Sequence, residues 1–122
     1  MNKIGIMQGR FTDKGGFYPQ EFPWENWERE FATGAANGIT CIEWMFNYEN
    51  YTQNPIWTDS GRKRLLRCME WSGVGVESVC GNFFMEKGLF GDCLQREGAF
   101  EVLEALLEGM SDVGARILVL PL

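Results

Sequence analysis

Val74-Gly-Val-Glu-Ser-Val-Cys80 and Arg116-Ile-Leu-Val-Leu-Pro-Leu122 are short apolar stretches on either side of one long helical pattern, and this arrangement indicates the architecture. The helical pattern is an apolar stripe that ends at the cap Gly114, and its members are Ala99, Leu103, Leu106, Leu107, Met110 and Val113. A strand, a helix and a second strand in this order are typical of a parallel pair joined by a crossover. We therefore predict a βαβ unit in the C-terminal part of the chain.

The same alternation extends back to the N-terminus. Two earlier stretches are rich in β-branched and apolar residues, which favours strands; they are Lys3-Ile-Gly-Ile-Met-Gln8 and Ile39-Thr-Cys-Ile-Glu-Trp-Met-Phe46. A regular run of strands and helices implies a parallel sheet with a helix on each crossover. We therefore predict an α/β fold in which residues 1–122 form one domain with four parallel strands and three crossover helices.

The first two helices have recognisable ends. Pro23 suits the first turn of a helix that Gly38 would cap at its C-terminus. Thr58 or Ser60 suits the N-cap of the second helix, which Gly73 would end. We expect this second helix to turn four basic side chains to solvent, those of Arg62, Lys63, Arg64 and Arg67.

Composition excludes several functional classes. The chain has 17 acidic and 11 basic residues and a net charge of −6, which disfavours a nucleic acid or an anionic membrane as a partner. Its apolar runs are too short to span a bilayer, and its first residues lack the apolar core of a signal peptide. The four cysteines form no CxxC pair, so neither a zinc knuckle nor a redox dithiol is indicated. We expect a soluble, cytoplasmic protein with reduced thiols.

Several short motifs, in order and in register over residues 3–121, resemble the start of one enzyme family. They are Lys3-Ile-Gly-Ile-Met-Gln-Gly-Arg10, Phe22-Pro-Trp24, Ile42-Glu-Trp44, Asn54-Pro55 and Ser78-Val-Cys80. On these motifs the chain resembles sugar phosphate isomerases and epimerases of the xylose isomerase-like TIM-barrel family. The resemblance covers the whole chain but only the N-terminal half of such a barrel, and it implies that the chain ends at strand four.

The resemblance also implies a chemistry. In the complete barrel a divalent metal, Mn or Mg, would be held by carboxylates and a histidine on the later strands, and it would assist aldose–ketose isomerisation or epimerisation of a sugar or sugar phosphate. The chain contains no histidine. We therefore expect no metal cofactor and no catalytic residue in these 122 residues, and we expect the chain to be an incomplete, inactive half.

Four polar residues are candidates for substrate binding. Gln8 and Arg10 follow strand one, where an amide and a guanidinium suit sugar hydroxyls or a phosphate, although Arg10 could instead hold a turn. Glu43 is an acid within an apolar strand, which is costly unless it is paired or functional. Asn82 follows strand three, where it could reach a hydroxyl or form a polar rim around a plain core.

Three further features have competing interpretations. Trp44 alternates with Glu43, so we expect it to pack on the helix side of the sheet. Glu77 should also face the helices, where we expect an Arg or Lys partner from a helix. The aromatic loop of residues 46–51 could form the wall of a sugar pocket or could pack down on the core.

A half barrel would leave part of its surface uncovered. We expect an inward face bearing Ile4, Ile6, Cys41, Val76 and either Ile117 and Val119 or Leu118 and Leu120. A free-standing half barrel that pairs with itself or with a separately encoded second half is therefore the alternative function. In that case we expect a homo-oligomer rather than a well-folded monomer, because both edge strands stay open.

Overall fold

The computed structural model describes residues 3–11 and 21–121, apart from the side chain of Gln95. Its strands and helices in chain order are β1 Gly5–Met7, α1 Trp27–Ala36, β2 Cys41–Met45, α2 Asp59–Ser72, β3 Gly75–Cys80, α3 Phe83–Glu86, α4 Cys93–Val113 and β4 Ile117–Val119, with one turn of 3-10 helix at Tyr51–Gln53. The strands pair in the order β1-β2-β3-β4, and every pair is parallel. The predicted four-stranded parallel α/β sheet is confirmed.

The prediction of three crossover helices is wrong by one, because the third crossover contains both α3 and α4. The extra turn forms where Phe83 and Phe84 are both buried. Phe83 N–H also donates to the carbonyl of Phe46 at 2.9 Å, which ties the start of α3 to the residue that follows β2. Burial of two aromatic rings therefore makes a helical turn from a stretch that had no helical pattern of its own.

The ends of α1 and α2 follow the sequence signals in part. Thr58 is the N-cap of α2, where its hydroxyl accepts a 3.0 Å hydrogen bond from Gly61 N–H, and Gly73 closes the helix with a φ of 73°. By contrast, α1 begins at Trp27 rather than beside Pro23, since the residues between them form turns. The other two predicted C-terminal glycines, Gly38 and Gly114, also have positive φ.

Arg62 corrects the prediction that all four basic residues of α2 face solvent. Its side chain is only 16% exposed and forms an ion pair with Asp112 of α4 at 3.1 Å. The same guanidinium donates to the carbonyls of Ile56 and Trp57. Arg62 therefore joins α2, α4 and the loop before α2, whereas Lys63, Arg64 and Arg67 are exposed as predicted.

The core lies between the sheet and its helices. Trp44 is fully buried there, as predicted, and packs edge-on against Trp27 of α1 with ring centroids 5.6 Å apart. The other large buried side chains of this layer include Phe31, Ile42, Leu65, Val76, Val79 and Leu106. The parts of the chain that the structure describes contain no helix with the length and apolar content needed to cross a membrane.

The strand register corrects the predicted inward face. Gly5 pairs with Cys41 and Ile6 with the buried Ile42, so Ile6 lies on the helix side. Val76 lies on that side too, because it follows Gly75, the partner of Cys41. A β-bulge between β2 and β3 then adds one residue to β3 and changes which of its later residues lie on the helix side. The sequence of one strand does not show such an extra residue.

The face opposite the helices, here called the inner face, carries Met7, Cys41, Glu43, Met45, Ser78, Cys80, Ile117 and Val119. The pairing of Ser78 with Ile117 and of Cys80 with Val119 selects Ile117 and Val119 over Leu118 and Leu120. These two side chains are 54% and 40% exposed, and Ile4, which precedes β1, is exposed as well. The last strand is shorter than predicted: Pro121, which has no N–H to donate to a ladder, follows it, and Leu122 lies outside the described residues.

Candidate functional site

Glu43 and Ser78 form a hydrogen-bonded pair on the inner face. They lie side by side in the β2–β3 register, and the Ser78 hydroxyl donates to Glu43 Oε2 at 3.0 Å. Both residues are half-buried. Within the described part of the chain, Ser78 is the only side chain that bonds this carboxylate, so Oε1 is left as an acceptor. The pair therefore presents a fixed, negatively charged oxygen on the inner face.

Gln8 lies at the end of β1, next to the strand that carries Glu43. Its backbone N–H donates to the carbonyl of Glu43 at 3.0 Å, and its side-chain Oε1 accepts from Met45 N–H at 2.8 Å. The side chain thus takes the place of a backbone carbonyl in the β1–β2 ladder. Gln8 is 1% exposed, and its Nε2 has no hydrogen-bond partner among the described residues. A buried donor without an acceptor costs on the order of 1 to 3 kcal/mol, so this nitrogen needs an explanation.

Glu30 supports the turn after Gln8, and the sequence analysis did not single it out. It lies on α1 with an exposure of only 2%, and both of its carboxylate oxygens accept from Gly9 N–H, at 3.1 and 2.9 Å. Gly9 has a φ of 90°, a conformation that favours glycine. The spacing of Glu30 from Trp27 and Gly34 already placed it on the buried stripe of α1, so the periodicity contained the missed signal.

Arg10 is exposed at the end of the same turn. Its guanidinium Nη2 lies 3.4 Å from the sulfur of Met7, on the strand that precedes it. This contact places the positive charge of Arg10 beside the carboxyl-terminal end of β1. The structure therefore joins the backbones of Gln8 and Glu43 and places Arg10 at the rim.

Asn82 belongs to a second group at the end of β3. Its Nδ2 donates to Asn47 Oδ1 at 3.0 Å, and its Oδ1 lies 3.3 Å from the thiol of Cys80. The two amides join the ends of β2 and β3. Asn82 therefore lies at the rim of the sheet. This position is consistent with a residue that reaches a substrate hydroxyl and with a polar rim around a plain core.

The pKa of the Cys80 thiol depends on the charge of the inner face. Burial raises the pKa of its thiol, and the negative charge of Glu43 raises this pKa further. The thiol is therefore protonated at neutral pH, and a reactive thiolate is not available. The dependence on Glu43 shows that its charge acts across to β3.

The aromatic loop after β2 is mostly packed down. Phe46 and Phe83 are buried with ring centroids 5.7 Å apart, and Tyr51 lies edge-on to Phe83 at 4.9 Å. Tyr48 is the exception, because it is 42% exposed and has Lys87 Nζ 5.9 Å from its ring centre. Packing thus accounts for most of the loop, and one ring remains open to solvent.

Asn54 fastens this loop to β2. Its Oδ1 accepts from Trp44 Nε1 at 2.9 Å and from Ile56 N–H at 3.1 Å, and its Nδ2 donates to the carbonyl of Met45 at 3.0 Å. Asn54 is 1% exposed, so each of these bonds is shielded from water. In the Asn54-Pro55 motif, Asn54 therefore has a structural role.

Glu77 has a partner that differs from the predicted one. Its carboxylate forms an ion pair with Lys3, which precedes β1, rather than with a cation from a helix. The hydrogen bond from Lys3 is the main cause that lowers the pKa of Glu77. The bulge in β3 explains the difference, because it removes Glu77 from the simple alternation on which the prediction relied.

The described residues do not fit the divalent metal that the resemblance implies. Mn and Mg need several oxygen or nitrogen ligands at one point. Among the described residues no three His, Cys, Asp or Glu side chains come together in this way. No family model and no curated protein sequence matches this chain.

Proposed function

We propose that the four βα units are the N-terminal half of a TIM barrel and that the complete barrel is a sugar or sugar phosphate isomerase or epimerase of the xylose isomerase-like family. The observation that carries this proposal is the Glu43–Ser78 pair, a carboxylate held by a hydrogen bond on the inner face of the sheet. A carboxylate is costly at such a position unless it has a partner or a function.

The sheet supports the barrel part of the proposal. Its strands are parallel and follow one another in chain order, which is the arrangement of consecutive strands in a (βα)8 barrel. One face is covered by helices, while Ile117 and Val119 stay exposed on the other. Four further strands would close the two edges and bury this inner face.

In the proposed enzyme, this half binds the substrate. Ser78 fixes one oxygen of Glu43, so that the other can accept a hydrogen bond from a sugar hydroxyl. Gln8, Arg10 and Asn82 lie where β1 and β3 end, at the edge of the sheet where TIM barrels bind their substrates. The implied Mn or Mg would have to be held by residues outside the four described strands.

The test uses the longest in-frame product of the locus, read from the DNA that follows codon 122. We expect that protein to interconvert an aldose and a ketose, or two epimers, when Mn or Mg is supplied. Glu43→Gln should lower kcat/KM about tenfold or more, because losing a contact with a charged group costs on the order of 1 to 3 kcal/mol. Glu77→Gln is the matched control, since its carboxylate pairs with Lys3.

Two results would contradict the proposal. One is the absence of conversion for a panel of free and phosphorylated pentoses and hexoses. The other is a Glu43→Gln variant with unchanged kinetics and a much lower melting temperature, which would assign Glu43 to the structure.

Assembly is a second candidate function, and the open inner face favours it. β1 and β4 are the edge strands of the described sheet, and each has one side without a strand partner. Open parallel edges are templates for pairing with another chain. The partner would be a second copy or a complementing half.

A further inference from the structure

We propose that one outer surface of the chain binds a basic, amphipathic helix of a complementing polypeptide. This surface, here called the α4–β4 surface, is formed by apolar side chains of α4, of β4 and of the residue after β4, namely Phe100, Leu103, Leu107, Leu118 and Leu120. The inference rests on the second candidate function, assembly, and adds where the partner docks and what charge it carries. It also selects a complementing half over a second copy.

The α4–β4 surface lies on the side of α4 that faces away from α2. Asp112 marks the side toward α2, because its carboxylate pairs with Arg62 at 3.1 Å. Leu103 precedes Asp112 by nine residues, about two and a half turns of helix, so it lies on the opposite side. Phe100 and Leu107 are three and four residues from Leu103 and share its side. The contact with α2 therefore does not cover this side of α4.

The surface is apolar and only partly covered. Phe100 and Leu107 are each 47% exposed, whereas Leu103 is partly buried against the core. Leu118 alternates along β4 with the exposed residues of the inner face, so it lies on the helix side, and both it and Leu120 pack against the same core. Exposed apolar side chains that are bordered by charges are typical of interaction sites. A helix that covered them would gain the free energy of their burial.

A row of acidic side chains borders the α4–β4 surface. Its members follow one another at intervals of three or four residues along α4, and they are Glu97, Glu101, Glu104 and Glu108. All four are exposed, and none of them forms an ion pair within the part of the chain that the structure describes. Glu104 lies four residues after Phe100 and three before Leu107, so the row adjoins the apolar side chains. Like charges at this spacing repel one another, and a cation placed beside them would relieve the repulsion.

These charges decide which occupant fits. α4 carries five acidic residues and one basic residue, Arg96, so a helix with lysine or arginine beside its apolar stripe complements it. Among the described helices α2 is the basic one, but its Arg62 and Arg64 are already in ion pairs. A contact of α2 in one copy with α4 in another would also be head to tail, which continues into open chains. A partner with a different sequence avoids both difficulties.

The experiment is an NMR titration of the ¹⁵N-labelled 122-residue chain with a synthetic peptide. The peptide has about 18 residues, long enough to form a helix, with leucine on one side of that helix and lysine on the other. It should shift the backbone amides of the α4–β4 surface and leave that of Glu43, on the inner face, unchanged. A peptide with glutamate in place of every lysine, and a leucine–lysine peptide of scrambled order, should not shift them at the same concentrations.

Two variants separate docking at this surface from general attraction between opposite charges. Leu107→Lys and Leu94→Lys both add one positive charge at an exposed position of α4, but only Leu107 belongs to the α4–β4 surface. Leu107→Lys should weaken peptide binding about tenfold or more, a usual effect of losing a central apolar contact. Leu94→Lys should bind within about threefold of the wild type, since one exposed charge contributes little.

Three results would overturn the inference. They are peptide-induced shifts located on α2 or the inner face, equal binding of the lysine and glutamate peptides, and equal loss of binding in the two variants. The shifts are measured on the wild-type chain, so the test does not depend on the variants folding.

Two other occupants have their own signatures, and either would also overturn the inference. Shifts of the same amides with rising concentration of the chain alone would assign the surface to a second copy. Loss of peptide binding in the longest in-frame product would show that the surface is covered within one polypeptide. Peptide binding needs neither turnover nor self-association, so its presence in a chain that stays monomeric would refute self-assembly and leave this inference standing.

Discussion

Glu43 influences its neighbours by charge as well as by hydrogen bonding. Burial is the first cause of the raised pKa of the Cys80 thiol, and the Glu43 carboxylate is the second. The folded state therefore holds this proton more tightly than the unfolded chain does. The stabilisation is present below the ordinary thiol pKa of 9.0 and is lost as the pH rises through the higher, folded value.

Glu43→Gln should move the pKa of Cys80 back toward its ordinary value, because the variant removes the negative charge and leaves the burial unchanged. The ¹³Cβ shift of Cys80, followed across the alkaline range, measures this. Cys68 is the matched control: burial also raises the pKa of its thiol, but the next cause is Glu28 rather than Glu43. A Cys80 titration identical in the wild type and the variant would refute the coupling.

At this scale the sequence identified residues whose polarity conflicts with their surroundings. Glu43 within an apolar strand was a clear signal, and the structure pairs it with Ser78. Glu30 was missed because its partner is a backbone group distant in sequence, the N–H of Gly9. Every residue except proline has a backbone N–H, so the sequence does not show which N–H a side chain will bind.

Among the elements, α4 packs closely against the loop that precedes α2. A Cβ at Gly109 would lie 2.5 Å from the carbonyl oxygen of Ile56, which is closer than real side chains come. The loop cannot easily withdraw, because Arg62 holds the same carbonyl at 3.0 Å. Gly109 therefore sets the distance between α4 and this loop.

Gly109→Ala should destabilise the protein by about 1 to 3 kcal/mol, the usual cost of overpacking a close contact. Gly98→Ala in the same helix is the control, since a Cβ there meets nothing within 4 Å. It should stabilise the protein by up to about 1 kcal/mol, because alanine is the better helix former. Urea unfolding measures both variants, and equal effects would contradict the close contact.

Periodicity was sufficient to predict the strands and the long helices, whereas two features depended on tertiary contacts. The helix α3 forms because Phe83 and Phe84 are buried. The bulge in β3 exists only relative to β2, so the sequence of β3 alone could not reveal it, and the predicted position of Val76 and the predicted partner of Glu77 were wrong for that reason. A feature that depends on how two elements pack together cannot be predicted from the sequence pattern of one of them.

For the whole molecule, the open surface is smaller than the sequence suggested. On the inner face Met45 and Cys80 are buried, and the exposed apolar side chains are those of Ile117 and Val119. At about half exposure, each forgoes on the order of 1 kcal/mol of burial. That cost is compatible with folding, and it still favours association through the inner face and the edge strands.

We expect the chain to associate reversibly, with an average mass in sedimentation above 13.9 kDa that rises with concentration in the micromolar range. Ile117→Lys should shift the equilibrium toward the monomer, because it places a charge on the inner face. Leu94→Lys, at an exposed position of α4, is the control and should leave the association unchanged. A sharply melting monomer at all concentrations would contradict this expectation.

The ladder bond between Met45 and the side chain of Gln8 gives this residue a structural role that is separate from its proposed role in substrate binding. Most polar side chains can be exchanged while the backbone beneath them stays intact, but here the carboxamide oxygen is part of the sheet. Any change of this carboxamide must therefore also change how β1 is joined to β2. In the proposed enzyme, substrate preference would accordingly be more readily altered at Ser78 or Asn82 than at Gln8.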